Sequence, residues 1–424
     1  MPLALLELPL FVLLPKLYSD LFGLQLGLIG SVLLITRMFD AISDPIIGVQ
    51  LDKHAARFNY RFWIIAASPA LLAGFIALLW APAAIHKNQT ALVLWLGVFS
   101  IVTYLAYSII SIAYQSWGAQ WGSNAAERTR VTGVREVFGL LGVLIASAWL
   151  TVQSRPELSI ALGIMIAIGC FALTTIKLAP VDPVNKTIAK VDQSFNPLTR
   201  SWTLIAQHQN FRWLLAVFAI NGIATAIPAT LVLFFVADVI GAPDQVPKFL
   251  LAYFLAGALG MPVWTWLAQR IGLRNAWLVG MIFSVLAFAG AITLGRGDSG
   301  QYLIVCLITG LALGADLALP PALLAGVIRQ EQQADAGSTE ATGQASYFGL
   351  WNLVTKLNLA VAAGIGLPLL QWFGYEPTSG GSIQSSLVLT LVYAGLPCIL
   401  KLVAGATLLL APLKDSMENS NGRN

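Results

Sequence analysis

Charge is what this chain has least of. Asp, Glu, Lys and Arg together make up 10% of its 424 residues, against roughly 25% in a soluble domain. With 57% of residues hydrophobic and a mean hydropathy of +0.77, an ordinary water-facing surface is excluded, and the chain reads as an integral membrane protein. Cysteine is scarce too. Cys170, Cys306 and Cys398 lie inside apolar segments, which excludes a disulfide framework or zinc site as the organising principle. His54, His86 and His208 lie in or beside loops, so a histidine proton relay through the bilayer is not expected. No Gly-x-x-x-x-Gly-Lys-Ser/Thr loop cradles ATP. Nothing resembles a cleavable signal, because the first apolar run starts almost at Met1 and continues into a span. That run is short for a crossing, and we expect a start site assigned several codons late.

What is present is a succession of apolar windows of about 20 residues, separated by polar or Gly/Pro breaks. They predict twelve helices, near 2–19, 25–51, 60–83, 91–120, 130–152, 158–179, 210–239, 246–270, 275–295, 301–329, 343–373 and 384–412. The predicted organisation is an N-terminal six-helix bundle (1–179), a cytoplasmic linker (180–209), a C-terminal six-helix bundle (210–412) and a polar cytoplasmic tail (413–424). With the N-terminus inside, fifteen of the 24 Lys and Arg residues fall on the cytoplasmic side and five outside, as the positive-inside rule requires. A weak repeat supports two related halves: Gly48-Val-Gln-Leu-Asp52-Lys53 follows the second span, and Trp266-Leu-Ala-Gln-Arg270-Ile-Gly272 follows the eighth.

The second span contains Arg37-Met-Phe-Asp40-Ala-Ile-Ser43-Asp44-Pro45-Ile-Ile-Gly48. One charge at mid-bilayer costs roughly 2.5–3.5 kcal/mol on insertion scales, so three in one span mark a polar pathway or a set of partners. At about 100° per residue, Arg37, Asp40, Asp44 and Gly48 share one helix face. Two carboxylates about 6 Å apart repel by roughly 3 kcal/mol at an effective dielectric near 20. Either one holds a proton or a monovalent cation sits between them, with Ser43 adding a hydroxyl. The plainer alternative is that Arg37 pairs with Asp40 and locks the helix to a neighbour. Gly48, Asp52 and Lys53, where the chain meets water, read as a gating or structural contact.

On the fourth span Tyr107, Ser108, Ser111 and Tyr114 share a face, with Gln115 beside them. Such a face suits a hydroxylated solute, and it also suits interhelical hydrogen bonding. Arg135 and Lys356 are cations within spans that need a carboxylate or a ligand. Glu136 points away from Arg135 at 100°, leaving Arg135 to bridge toward the acids of the second span, and Asp316 is the candidate partner of Lys356. Lys401 is expected to snorkel. Asn221-Gly222, Pro228 and Pro320-Pro321 break helices in mid-span, which is tolerated only beside protein or a cavity. Asn88-Gln-Thr90 and Asn185-Lys-Thr187 match a glycosylation pattern that is common by chance.

Across nearly its whole length the chain resembles the glycoside–pentoside–hexuronide:cation symporters, the melibiose permease-like branch of the major facilitator superfamily. The resemblance rests on Arg37-x-x-Asp40-Ala-Ile-Ser-Asp44-Pro45-Ile-Ile-Gly48 after Tyr18-Ser-Asp20-Leu-Phe-Gly23-Leu. Tyr107-Ser108, Arg135 and Tyr347-Phe-Gly-Leu-Trp-Asn-Leu-Val-Thr-Lys356 add to it. It implies an all-α membrane fold of two pseudo-symmetric six-helix bundles and alternating access. It also implies cation binding at Asp40, Asp44 and Ser108, and sugar or cation contacts at Arg135 and Lys356. Two departures stand out. Aspartates that grip the sugar in family members align with Ala4 and Ser111, with Glu7 a turn later, and a stacking tryptophan aligns with Gln115. The tenth span ends Ala325-Gly326-Val327-Ile328-Arg329, where members carry acids.

The expectation is a secondary active transporter that couples Na+ or H+ to a small polar solute, a sugar or glycoside. Substrate contacts are expected at Tyr107, Ser111, Gln115, Arg135, Asn221 and Lys356, and structural or gating roles at Arg37, Gly48, Asp52, Lys53 and Asp316. The alternatives are proton-coupled transport of an amphipathic or lipid-like solute, and a non-transporting assembly scaffold. No enzymatic activity, cofactor or nucleic-acid partner is expected. The protein is expected as a multi-pass monomer in a bacterial inner membrane, with both termini cytoplasmic.

Overall fold

The computed structural model describes residues 2–8, 10, 14, 17–18, 22–24, 26–55, 57–120, 125–152, 155–175, 203–334, 343–373 and 383–413. Among them the regular secondary structure is entirely helical. In chain order the helices are α1 Pro2–Leu8, α2 Leu26–Lys53, α3 Tyr60–Leu79, α4 Gln89–Ala119, α5 Ala125–Val152 and α6 Arg155–Thr175. The second set is α7 Gln209–Phe234, α8 Val246–Ile271, α9 Leu273–Ala291, α10 Ser299–Ala334, α11 Gln344–Trp372, α12 Ile383–Thr390 and α13 Leu396–Leu410. A π-helical turn, Phe235–Ile240, extends α7, and another, Leu391–Gly395, joins α12 to α13.

Each predicted span from the second to the twelfth overlaps a helix, the last divided by its π-helical turn. The third and ninth helices end at Leu79 and Ala291, about four residues before the predicted ends, and residues 176–179 of the sixth span lie outside the described residues. Only parts of the first span lie among the described residues, and so does the linker only from residue 203 and the tail only at Leu413. Seven helices among the described residues have the length and hydropathy of a membrane crossing. At 28, 28 and 29 residues, α2, α5 and α11 also have the length, since 1.5 Å per residue carries them past about 30 Å of hydrocarbon. Local chemistry sets the boundaries. The Asn59 and Asn88 side chains accept from the Phe62 and Ala91 amides, capping α3 and α4. Gly272, at φ +86°, lets α8 reverse into α9.

The chain divides into two compact units. Unit 1 holds Met1–Trp121, Val137–Leu204 and Glu331–Leu353, and unit 2 holds Gly122–Glu136, Ile205–Gln330 and Val354–Asn424. Lipid offers little hydrophobic drive between helices, so close approach depends on small residues and interhelical hydrogen bonds. In unit 1, Gly74 of α3 lies against Thr103 of α4, and the Trp95 indole donates to the Ala77 carbonyl at 2.9 Å. In unit 2, Gly257 and Gly260 of α8 meet Gly310, Leu311 and Gly314 of α10, and the Trp264 indole donates to the Leu311 carbonyl at 2.6 Å. Elsewhere in unit 2, Phe235 stacks on Tyr393 at 4.0 Å, and the Tyr302 and Tyr393 hydroxyls share a hydrogen bond.

Candidate functional site

The acids of α2 lie inside unit 1. Asp40 is 5% exposed and Asp44 0%. The Ser108 hydroxyl, reaching from α4, donates to Asp40 Oδ1 at 2.8 Å. The Ser43 hydroxyl turns back onto the Asp40 backbone carbonyl at 2.8 Å. Arg37 is exposed, one turn before Asp40. The helix backbone at Asp44 and Pro45 is in contact with Gly349 of α11, where a side chain larger than hydrogen would collide. Pro45 lacks the N–H that would donate to the Ala41 carbonyl one turn earlier, a freed group that a membrane helix tolerates only beside protein or a cavity. The result is two buried carboxylates one turn apart on α2, with a hydroxyl from α4 donating to the first.

Oxygen donors of this kind suit a hard cation. A hydrogen bond to a charged group is worth roughly 1.5–3 kcal/mol, so Ser108→Ala should weaken cation binding by about 10-fold or more. A cation titration followed by thermal shift reads this directly, and an unchanged midpoint would remove Ser108 from the site.

Farther along α4, the Gln115 amide nitrogen donates to Ser111 Oγ at 2.8 Å and to Asn352 Oδ1 of α11 at 3.1 Å. Tyr107 and Ser111 are half-buried beside them, and Tyr114 is exposed. Asn352 is an addition that the sequence did not single out, because it stands alone among Leu350, Trp351, Leu353 and Val354 and no local spacing relates it to Gln115 of α4.

At the end of α2, Asp52 is 1% exposed. It accepts from the Ala345 and Ser346 amides at 3.0 and 2.7 Å, from the Ser346 hydroxyl at 2.6 Å and from the Tyr60 hydroxyl at 3.2 Å. It therefore caps the N-terminus of α11, where backbone N–H groups and the helix dipole favour an anion. Gly48 lies directly against the Ala345 carbonyl, and Gly343 against the Asp52 carboxylate. Lys53 is half-buried next to this cap. Glu331, two residues beyond the Ala325–Arg329 stretch that lacks acids, is buried and accepts from the Tyr347 hydroxyl at 2.9 Å.

Three expectations in the remaining set change. Arg135 is held by its neighbour Glu136, with its guanidinium nitrogens 2.9 and 2.6 Å from Oε1. The 100° offset between adjacent positions is overcome by the length of the two side chains, so the pair closes along the helix surface. Lys401 does not snorkel. It is 2% exposed, and its Nζ lies 2.7 Å from Asp316 Oδ2. Asn221 is 3% exposed, with both ends of its amide engaged by Asp316 and Lys401, and so it sits inside a protein network instead of being presented to a solute. Lys356 is half-buried on α11. The signal for Lys401 was available, since a lysine inside an apolar span must find a partner.

A profile of the family described as MFS/sugar transport protein matches residues 1–415. Over 294 residues the chain is 26% identical to an isoprimeverose transporter of Lactiplantibacillus pentosus, covering 66% of this chain and 59% of that protein. Over 432 residues it is 23% identical to the sodium-dependent lysophosphatidylcholine symporter 1 of Gallus gallus, covering 92% of this chain and 80% of that one. Among solved structures, the E. coli fucose:proton symporter superposes with a TM-score of 0.62 at 15% identity, covering 95% of this chain and 96% of that one. The helical fold described above is thus that of the major facilitator superfamily.

Proposed function

We propose that this chain, which belongs to the MFS/sugar transport protein family, is a secondary active transporter that couples a monovalent cation to a small polar solute by alternating access. The single observation that carries this reading is the burial of Asp40 and Asp44 one turn apart on α2, with the Ser108 hydroxyl donating to Asp40. A membrane helix keeps two acids in its interior at a cost of several kcal/mol, and a coupling ion offsets it. Sodium is the proposed ion. Its support is the all-oxygen ligand set and the resemblance to a symporter named as sodium-dependent that spans 92% of this chain.

A sugar or glycoside is the proposed solute, on the strength of the family description and the hydroxyl and amide groups of Ser111, Gln115 and Asn352. Tyr107 is proposed to line the same path, and Lys356 is proposed as a substrate contact in its own right on α11. Gly48, Asp52 and Lys53 are proposed as the cytoplasmic contact that must form and release during the cycle, and Arg37 as a structural residue within the span. The protein is proposed to act as a monomer in a bacterial inner membrane, with both termini cytoplasmic.

Reconstituted vesicles test the reading. Labelled glycosides should accumulate under an imposed sodium gradient, and collapse of that gradient by an ionophore should stop accumulation. Uptake indifferent to sodium and driven by a pH gradient would reassign the ion. Lysophosphatidylcholine accumulated in preference to glycosides would reassign the solute class. No ion-linked flux of either would overturn symport itself.

A further inference from the structure

We infer that the Asp316–Lys401 ion pair is a positioning device that seats α11, and with it Lys356, on α7. The pair lies within unit 2, and every proton of its ammonium is taken up by protein. Lys401 Nζ has three protons and three acceptors: Asp316 Oδ2 at 2.7 Å, Asn221 Oδ1 at 3.0 Å and Thr225 Oγ1 at 3.3 Å. Asp316 Oδ1 accepts from Asn221 Nδ2 at 2.9 Å and from the Trp277 indole at 3.0 Å. Thr225 has one hydroxyl proton. The Asn221 carbonyl at 3.0 Å is better placed to take it than Asp316 Oδ2 at 3.4 Å, which leaves the Thr225 oxygen free to accept from Lys401. A cation or solute entering here would first have to displace the lysine, so the network holds helices and does not receive cargo. It ties α9, α10 and α13 to one stretch of α7, residues 221–225.

The same stretch carries α11. Gly222 leaves the space that the Asn358 side chain fills, and any Cβ at 222 would collide with that amide. With its amide oriented to satisfy both ends, Asn358 donates from its nitrogen to the Ala219 carbonyl of α7 at 3.2 Å. Lys356 stands two residues away on α11. The path therefore runs from Lys401 and Asp316 through Asn221 to the α7 backbone, then through Asn358 to the place α11 gives Lys356. Any consequence for solute binding rests on the proposed symport, whereas the consequence for helix placement does not.

The test uses the full-length protein with Lys401→Met, Asp316→Asn, the Asp316→Asn/Lys401→Met double variant and Gly222→Ala. Removing one member leaves a buried charge alone, which is far more damaging than removing both. Each single variant should lower the unfolding midpoint by roughly 5 °C or more, and the double variant should recover most of that loss. Alkylation of a Lys356→Cys reporter should change several-fold in the Lys401→Met and Gly222→Ala backgrounds and return toward its starting rate with the double variant. In uptake, Gly222→Ala and Lys401→Met should raise KM more than they lower the maximal rate. Single variants with native midpoints and native reporter rates would overturn the inference. A double variant that recovers stability but loses ion dependence would overturn it in favour of direct coupling. Absence of uptake by the unmodified protein would overturn the symport reading alone, because midpoints and reporter rates would still decide the role of the pair.

Discussion

Asp44→Asn is expected to leave a folded transporter that binds solute but no longer responds to the cation. Asp44 is wholly buried one turn from Asp40, and on the proposed reading the two carboxylates hold a positive ion between them only while both are charged. With one neutralised, the mutual repulsion of roughly 3 kcal/mol disappears, and with it the reason for an ion to enter. Coupling between two ligands is reciprocal, typically 5- to 150-fold in affinity. Sodium stimulation of solute affinity in that range should therefore collapse to about 1-fold in the variant, and solute stimulation of sodium affinity should collapse equally. The isosteric amide adds a donor where a charge stood, so the unfolding midpoint should stay level or rise. Counterflow, which needs no gradient, should persist while uphill accumulation fails. A variant that accumulates solute as steeply as the native protein would remove Asp44 from coupling.

The second large effect is expected where Asp52 caps α11. Asp52→Ala removes two backbone and two hydroxyl hydrogen bonds to a buried carboxylate and leaves the first turn of α11 without its anion. Even with relaxation this should cost about 3 kcal/mol, a fall of roughly 6–12 °C in midpoint for a cooperative unit of 150–250 residues. Gly343→Ala attacks the same contact from the other side, because its Cβ would meet the Asp52 carboxylate. The two substitutions should be strongly non-additive, the double variant being little worse than Asp52→Ala alone. Asp52→Glu should not restore the contact, since Gly343 leaves no room for a longer side chain. Additive losses would mean that Asp52 and the start of α11 act independently.

Much of this was legible in the residues because the bilayer is a demanding solvent. Apolar length had to match helix length, and the spans from 25–51 onward fall where helices form. The acids at 40 and 44 announced themselves because charge in lipid is costly anywhere it occurs. Gly48 and Asp52 were legible as a contact, but not as the cap of a helix that begins nearly 300 residues later. Arg135 was misdirected by helical angle alone, which ignores how far a guanidinium and a glutamate can lean toward each other. Asn221, Lys401 and Asp316 lie on three different helices, and no local spacing relates them.

The amino-acid order alone settled that this chain crosses the membrane repeatedly as helices and that α2 carries charge into the interior, since both follow from transfer free energies that each segment experiences by itself. Which groups satisfy one another was decided only by folding: Ser108 with Asp40, the α11 amides with Asp52, Lys401 with Asp316. Hydrogen bonds and ion pairs act over about 3 Å, and whether two side chains come that close depends on how helices distant in the chain are laid side by side.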